Sequence, residues 1–236
     1  RQGTDTGGQV RPWSSSRMID QLPVIAVIGG TGAEGSGLAA RWARAGYRVI
    51  VGSRNAESAA ETASEIGAEG MDNAAAVAAC DIAVLTVPYA AQRATLTALR
   101  EGLQGKILVD VTVPLVPPKV MRVQLPEEGC AALVAQAVLG SDVQVVSAFQ
   151  NVSAGHLKDP DYVIDCDVLI TGDDPAARAE VVNLAAAAGL NGVEAGPLDN
   201  AVAAEAMTSL LIWMNRKYKS PGAGIRITAL PPENDL

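Results

Sequence analysis

VIAVIGGTGAEGSGLAARWARAGYRVIVGSR, residues 24–54, holds the reading that decides the fold. From Pro23 to Ile28 the chain is a continuous β-branched and apolar run, which predicts a strand buried on both faces and therefore a parallel sheet. Glycines then cluster between Gly29 and Gly37. Leu38, Ala39, Trp42 and Ala43 recur at helical spacing until Gly46, and Tyr47 to Val51 reads as a second strand. Strand, glycine turn, helix and strand make the opening half of a Rossmann unit.

The alternation continues outward from that stretch. Asn55 is placed to cap a helix that stops before Gly67, and a short Ala-rich helix follows Asp72. Asp81 to Val87 is a strand closed by Pro88, Ala90 to Arg100 a helix, and Lys106 to Val111 another buried strand. Four prolines between Pro114 and Pro126 predict a loop. Glu127 to Leu139 reads as a helix and Asp142 to Phe149 as a strand. Beyond Gln150 the texture changes. Asp167 to Thr171 is a short strand, Asp174-Pro175 opens a helix that ends at Gly189, and a strand lies near Val193. Asp199 is placed to cap a long helix reaching Tyr218, and Ile225 to Ile227 is a last short strand. The predicted class is α/β, a Rossmann-type, mostly parallel sheet over residues 18–149 with a smaller α/β domain over 150–236. Residues 1–17 are polar and rich in glycine and serine and read as a disordered lead, with Met18 as the natural start.

Composition narrows the function. The net charge of −8 argues against a general polyanion binder, and aromatic residues at 3%, with Phe149 the single phenylalanine, leave little to stack on nucleic-acid bases. No apolar run has the length of a membrane span. Cys80, Cys130 and Cys166 lie far apart without metal-ligand spacing and read as reduced, buried thiols of a cytoplasmic protein.

Gly30-Thr31-Gly32-Ala33-Glu34-Gly35 is a GxGxxG set between a strand and a helix. Gly30 permits the tight turn, Gly32 lets the backbone approach a pyrophosphate, and Gly35 lets helix and strand pack closely. The phosphates would rest on free N–H groups at the helix start. At the end of the second strand, where NAD-binding chains carry Asp or Glu, this chain has Gly52-Ser53-Arg54. A hydroxyl beside a guanidinium suits a 2′-phosphate and predicts NADP; Thr31 offers a further hydroxyl. Val87-Pro88 and Val113-Pro114 end the next two strands, and either wall the nicotinamide-ribose side or merely punctuate loops.

GGTGAEGSGLAARWARAGYRVIVGSR, DIAVLTVP, VVSAFQNV, TGDD and AGPLDNAVAAEAMTSLL, in this order and spacing, resemble the F420H2:NADP⁺ oxidoreductases over about Val24 to Ile227. The resemblance implies hydride transfer between C4 of the nicotinamide and C5 of the deazaflavin coenzyme F420. It implies that Thr31, Gly32, Ala33, Glu34, Ser53 and Arg54 contact NADP, that Gln150, Val152 and Ala154 border the stacked rings, and that the C-terminal domain serves substrate binding and homodimerisation. The family pattern has a histidine where this chain has Gln150, and a basic residue where it has Ser58.

The residues agree with small-molecule chemistry of this kind. Hydride transfer to a carbonyl calls for a proton donor, whereas transfer between two ring carbons needs alignment and exclusion of water. No catalytic side chain is assigned: His156 reads as a loop residue, and nothing in the spacing of Tyr89 or Lys119 supports them as acids. Arg216, Lys217, Lys219 and Arg226 either attract the acidic tail of F420 or favour a helix end. Val202, Glu205, Met207, Thr208, Leu211, Ile212 and Trp213 exceed one apolar stripe and read first as core, second as a homodimer seam. Two other readings remain: an NADP-dependent imine or β-hydroxyacid reductase, which usually appends a longer all-helical domain, and a non-catalytic NADP sensor.

Overall fold

The computed structural model describes residues 22–230; the expected lead over residues 1–17 and start at Met18 lie outside the described residues. In chain order, β1 (Ile25–Ile28) leads to α1 (Ala33–Arg44), β2 (Val49–Ser53) to α2 (Ala56–Ile66), and β3 (Glu69–Asp72) to α3 (Asn73–Ala79). Next come β4 (Ile82–Leu85), α4 (Tyr89–Leu103), β5 (Ile107–Asp110), α5 (Ala131–Leu139), β6 (Gln144–Ser147) and the single turn α6 (Ala154–Leu157). The chain closes with β7 (Asp167–Gly172), α7 (Pro175–Ala187), β8 (Asn191–Glu194) and α8 (Ala201–Tyr218).

These strands form one eight-stranded sheet in the order β3-β2-β1-β4-β5-β6-β7-β8. Every neighbouring pair is parallel except β6 with β7, where Ser147 faces Thr171 in an antiparallel register. Because side chains alternate along a strand, Ile25 and Val27 of β1 enter one core with Leu38, Trp42, Val181 and Leu184, beneath α1 and α7. Ala26 and Ile28 enter the other with Leu96, Leu103, Leu139 and Leu198, beneath α4 and α5. All four β1 residues are buried, as the unbroken apolar run requires.

Local chemistry sets the boundaries. Asn55 Oδ1 accepts from Glu57 N (2.8 Å) and Ser58 N (3.2 Å), and α2 stops at Gly67 in the left-handed region (φ 71°). Asp174 Oδ1 accepts from Ala177 N at 2.7 Å, with Pro175 opening α7. Four expectations are corrected. Strand β3 was not foreseen, because Glu-Gly-Met-Asp carries no apolar run; it forms by pairing with β2. Helix α5 begins at Ala131 rather than Glu127. Asp199 does not cap α8, which is entered from a 3-10 turn over Leu198–Asn200 with Asn200 at the cap. Ile225 to Ile227 is no strand, although Asp167 N donates to Ile225 O (2.7 Å) and Ile227 N to Asp167 Oδ2 (2.5 Å), holding the tail against the start of β7.

The two regions expected to meet near Gln150 are closely joined. Trp42 Nε1 donates to Leu184 O at 2.8 Å, and its ring meets Phe149 edge-on at 5.8 Å. Arg41, 6% exposed, donates from α1 to the carbonyls of His156, Leu157, Asp159, Tyr162 and Ala188. The three cysteines are buried and unpaired, and burial pushes the Cys130 thiol up to about 12. Among the described residues no helix is long and apolar enough to cross a membrane.

Candidate active site

Strand order reverses at β1, with β2 and β3 on one side and β4, β5 and β6 on the other. Ligands of open α/β sheets bind at the carboxyl ends of the strands beside such a reversal, and the glycine turn sits there. The turn itself is made by Gly29 (φ 76°) rather than Gly30. A Cβ on Gly30 would come within 2.7 Å of Val27 O, and one on Gly35 within 2.5 Å of Thr86 Oγ1 and 2.8 Å of Gly30 Cα. A Cβ on Gly32 would meet nothing closer than Gly29 O at 3.5 Å, and its φ of −73° suits any residue. The fold therefore demands glycine at 30 and 35 but not at 32.

One cavity of about 1260 Å³ runs along this carboxyl edge. Thr31, Gly32, Ala33 and Glu34 line one part of it and Ser53 and Arg54 its outer end. Val87, Pro88 and Val113 form the wall, and Gln150, Val152 and Ala154 lie at the far end. Of the site residues expected from sequence, Gly30 and Gly35 are the two that shape the turn without lining the cavity. Val87, Pro88 and Val113 line the cavity, whereas Pro114 does not. Arg54 is exposed and makes no ion pair among the described residues. Tyr89, Leu115, Pro117, Val120 and Thr208 enlarge the far end. The titratable side chains on the lining are Glu34, Arg54, Asp72 and Tyr89. Burial raises the Tyr89 phenol, so it is protonated at neutral pH. His156 lies outside the cavity, stacked on Tyr162 at 4.4 Å. Arg216, Lys217, Lys219 and Arg226 do not line it either, and Arg226 pairs with Asp165.

Known proteins are similar to this chain. Residues 24–114 match the family model described as NADP oxidoreductase, coenzyme F420-dependent. The chain is 42% identical over 221 residues to the F420-dependent NADP reductase of Methanocaldococcus jannaschii, covering 87% of this chain and 98% of that one. With the F420-dependent NADP reductase of Methanothermobacter thermautotrophicus it is 40% identical over 223 residues, covering 89% and 96%. This chain belongs to the F420-dependent NADP reductase family. A crystal structure of a candidate F420-dependent NADP reductase from Arthrobacter sp. FB24 superposes with a TM-score of 0.78 at 26% identity, covering 88% of this chain and all of that one. Membership of the F420-dependent NADP reductases makes this chain an NADP(H)-dependent oxidoreductase.

Behind the cavity lies a buried polar network that the sequence did not reveal. Asp110, fully buried at the end of β5, accepts from Gln92 Nε2 (2.6 Å) and Thr112 N (2.9 Å). Glu205 of α8, 1% exposed, accepts from Ala131 N (2.6 Å) and Ala132 N (3.0 Å) and so caps α5 from another helix. Gln150 Nε2 donates to Asp110 O and Ser147 Oγ, both at 2.8 Å, while Thr208 Oγ1 donates to Gln150 O at 2.9 Å. Asn151 Nδ2 reaches Ala204 O at 2.9 Å. The loop carrying Gln150 is thus fixed to β5 on one side and α8 on the other. The left-handed backbone at Phe149 (φ 72°) turns the chain out of β6 into this loop.

Three carboxyls here hold their protons unusually well. Burial pushes Asp110 up to about 6 against the opposing donors of Thr112 and Gln92. Burial and then the neighbouring Asp110 push Glu205 up to about 8, and burial alone takes Glu34, whose Oε1 has no hydrogen-bond partner, to about 8. Since each folded pKa exceeds its unfolded value, the folded state keeps protons that the unfolded chain has released. Stability is then full below the unfolded pKa and falls as pH rises through the folded ones. Thermal melts from about pH 5 to about pH 8.5 should show a falling Tm. Glu205→Gln, which retains an acceptor without the charge, should flatten the fall; a Tm rising over that range contradicts the assignment.

Asp72 and Asn73 are the lining residues that matter most among those missed. In the sequence Asp72 marked only the residue before a short Ala-rich helix; in the structure it caps that helix, accepting from Ala75 N at 2.9 Å. Its place opposite Ser53 follows from the β2–β3 register, which no local pattern announced. Of the α8 residues read first as core, Glu205 and Leu211 are buried but Trp213 is 49% exposed, beside Leu210 and Met214 at 45% and 40%.

Proposed function

We propose that this chain transfers a hydride between C4 of the nicotinamide of NADP(H) and C5 of the deazaflavin coenzyme F420, with the two rings stacked in the cavity. One observation carries the reading: a single continuous space runs from the glycine turn to Gln150, Val152 and Ala154, and its volume of about 1260 Å³ exceeds the ~300–1,000 Å³ usual for one ligand. Thr31, Gly32, Ala33 and Glu34 surround the diphosphate, and Ser53 and Arg54 take the 2′-phosphate. Val87, Pro88 and Val113 wall the nicotinamide, while Gln150, Val152 and Ala154 border the deazaflavin. Two electrons and one hydrogen pass as hydride between ring carbons, and a proton from water completes the reduced deazaflavin. The protein's task is alignment and exclusion of bulk water, which explains a lining without histidine, lysine or cysteine. Residues 150–230 form the F420-side domain in this reading, and a second copy of the chain covers Leu210, Trp213 and Met214 of α8.

Mixing purified protein, NADPH and oxidised F420 should bleach the visible absorbance of F420. Unchanged absorbance, with NADPH binding confirmed, contradicts the proposal. The glycines give a second check. Gly32→Ala should weaken NADPH binding roughly tenfold or more, about 1.4 kcal/mol, without lowering Tm. Gly35→Ala, which drives a methyl into Thr86 and Gly30, should lower Tm by about 5 °C. Titration and melting of both variants separate the two roles.

A further inference from the structure

β2 and β3 run parallel with Ser53 directly opposite Asp72, each the last residue of its strand. In-register side chains leave the same face of a sheet, and both residues line the cavity together with Arg54 and Asn73. The chain therefore lacks a carboxylate at the end of β2 but supplies one from the next strand at the same level. Asp72 Oδ1 is engaged by Ala75 N; among the described residues the other oxygen has no hydrogen bond and no ion pair. Arg54 makes no ion pair with it among the described residues. Asn73 adds an Oδ1 that is buried without a partner at the same corner.

A carboxylate is the natural acceptor for the two hydroxyls of an unphosphorylated adenosine ribose and repels a phosphate dianion placed there. We propose that Asp72 is a specificity-determining residue that reserves a place for the ribose diol, so that the chain binds NADH as well as NADPH and prefers NADPH only moderately. Ser53 and Arg54 favour the phosphorylated ribose; Asp72, one strand away, limits that preference. The inference rests on the dinucleotide reading above but not on the identity of the hydride acceptor.

The test is a fluorescence titration of NADPH and NADH against the full chain and its Asp72→Ser and Asp72→Asn variants. Serine and asparagine both keep a cap for α3, so circular dichroism and Tm should be unchanged. In both variants the ratio of NADPH to NADH affinity should widen about tenfold, about 1.4 kcal/mol, through weaker NADH and tighter NADPH binding. A ratio unchanged within about twofold, with NADPH still bound, overturns the role of Asp72 alone. Failure of the unaltered chain to bind either dinucleotide overturns this inference and the dinucleotide reading together.

Discussion

Replacing Arg54 by alanine raises the Kd for NADPH about 30- to 100-fold and leaves that for NADH within about threefold, equivalent to ~2–3 kcal/mol lost from one ligand only. The size follows from the setting. A guanidinium on a phosphate dianion makes charge-assisted hydrogen bonds, stronger than neutral ones and matched to the planar donor fork. Arg54 has no competing ion pair among the described residues, so its binding capacity is uncommitted. Ser53 stands beside it, its Oγ accepting from Asn55 N at 3.2 Å and thereby held in place. Arg54→Lys should recover part of the loss, since the charge returns without the fork. Equal weakening of both dinucleotides would place Arg54 somewhere other than at the extra phosphate.

Arg41→Met lowers Tm by roughly 10 °C, from a loss of about 3–5 kcal/mol. The side chain is nearly sealed, and its donors satisfy five backbone carbonyls, of His156, Leu157, Asp159, Tyr162 and Ala188. Methionine fills much of the volume but leaves those carbonyls without donors where water has little access. Arg41→Lys should recover only a fraction, because one ammonium cannot reach carbonyls spread over the α6 segment and the end of α7. The damage falls on the junction between α1 and the region after Gln150, so proteolysis should begin between residues 150 and 165. A Tm within about 2 °C of the unaltered chain would contradict the account of Arg41.

Arg41 also marks where sequence reasoning runs out. It follows Leu38 by three residues and precedes Trp42 by one, on the inward face of α1. Charge alone puts an arginine in solvent, and only the arrival of carbonyls more than 110 residues away brings it inside. Strand β1, the glycine turn and the caps at Asn55 and Asp174 were legible because each depends on neighbours within a few residues. The register that sets Asp72 beside Ser53, the pairing of Glu205 with the start of α5, and the bonding of Gln150 to Asp110 depend on distant contacts instead. The corrected end of the chain has the same origin. Ile225 and Ile227 have the composition of a strand, but they meet Asp167 through one carbonyl and one side-chain oxygen rather than through a ladder. In the cavity, the end lined by the GxGxxG turn and Ser53-Arg54 was legible because a local motif marks it. The far end, where Tyr89, Leu115, Val120 and Thr208 converge, belongs to segments that share no motif.

Direct passage of hydrogen between two stacked rings is the central claim, and isotope transfer tests it. NADPH carrying deuterium at the transferred position of C4 is reacted with oxidised F420 in ordinary water, and the reduced product is examined by mass spectrometry and NMR. The account predicts one deuterium at C5 of the product and none lost to solvent. A product carrying only solvent hydrogen at C5 would contradict it.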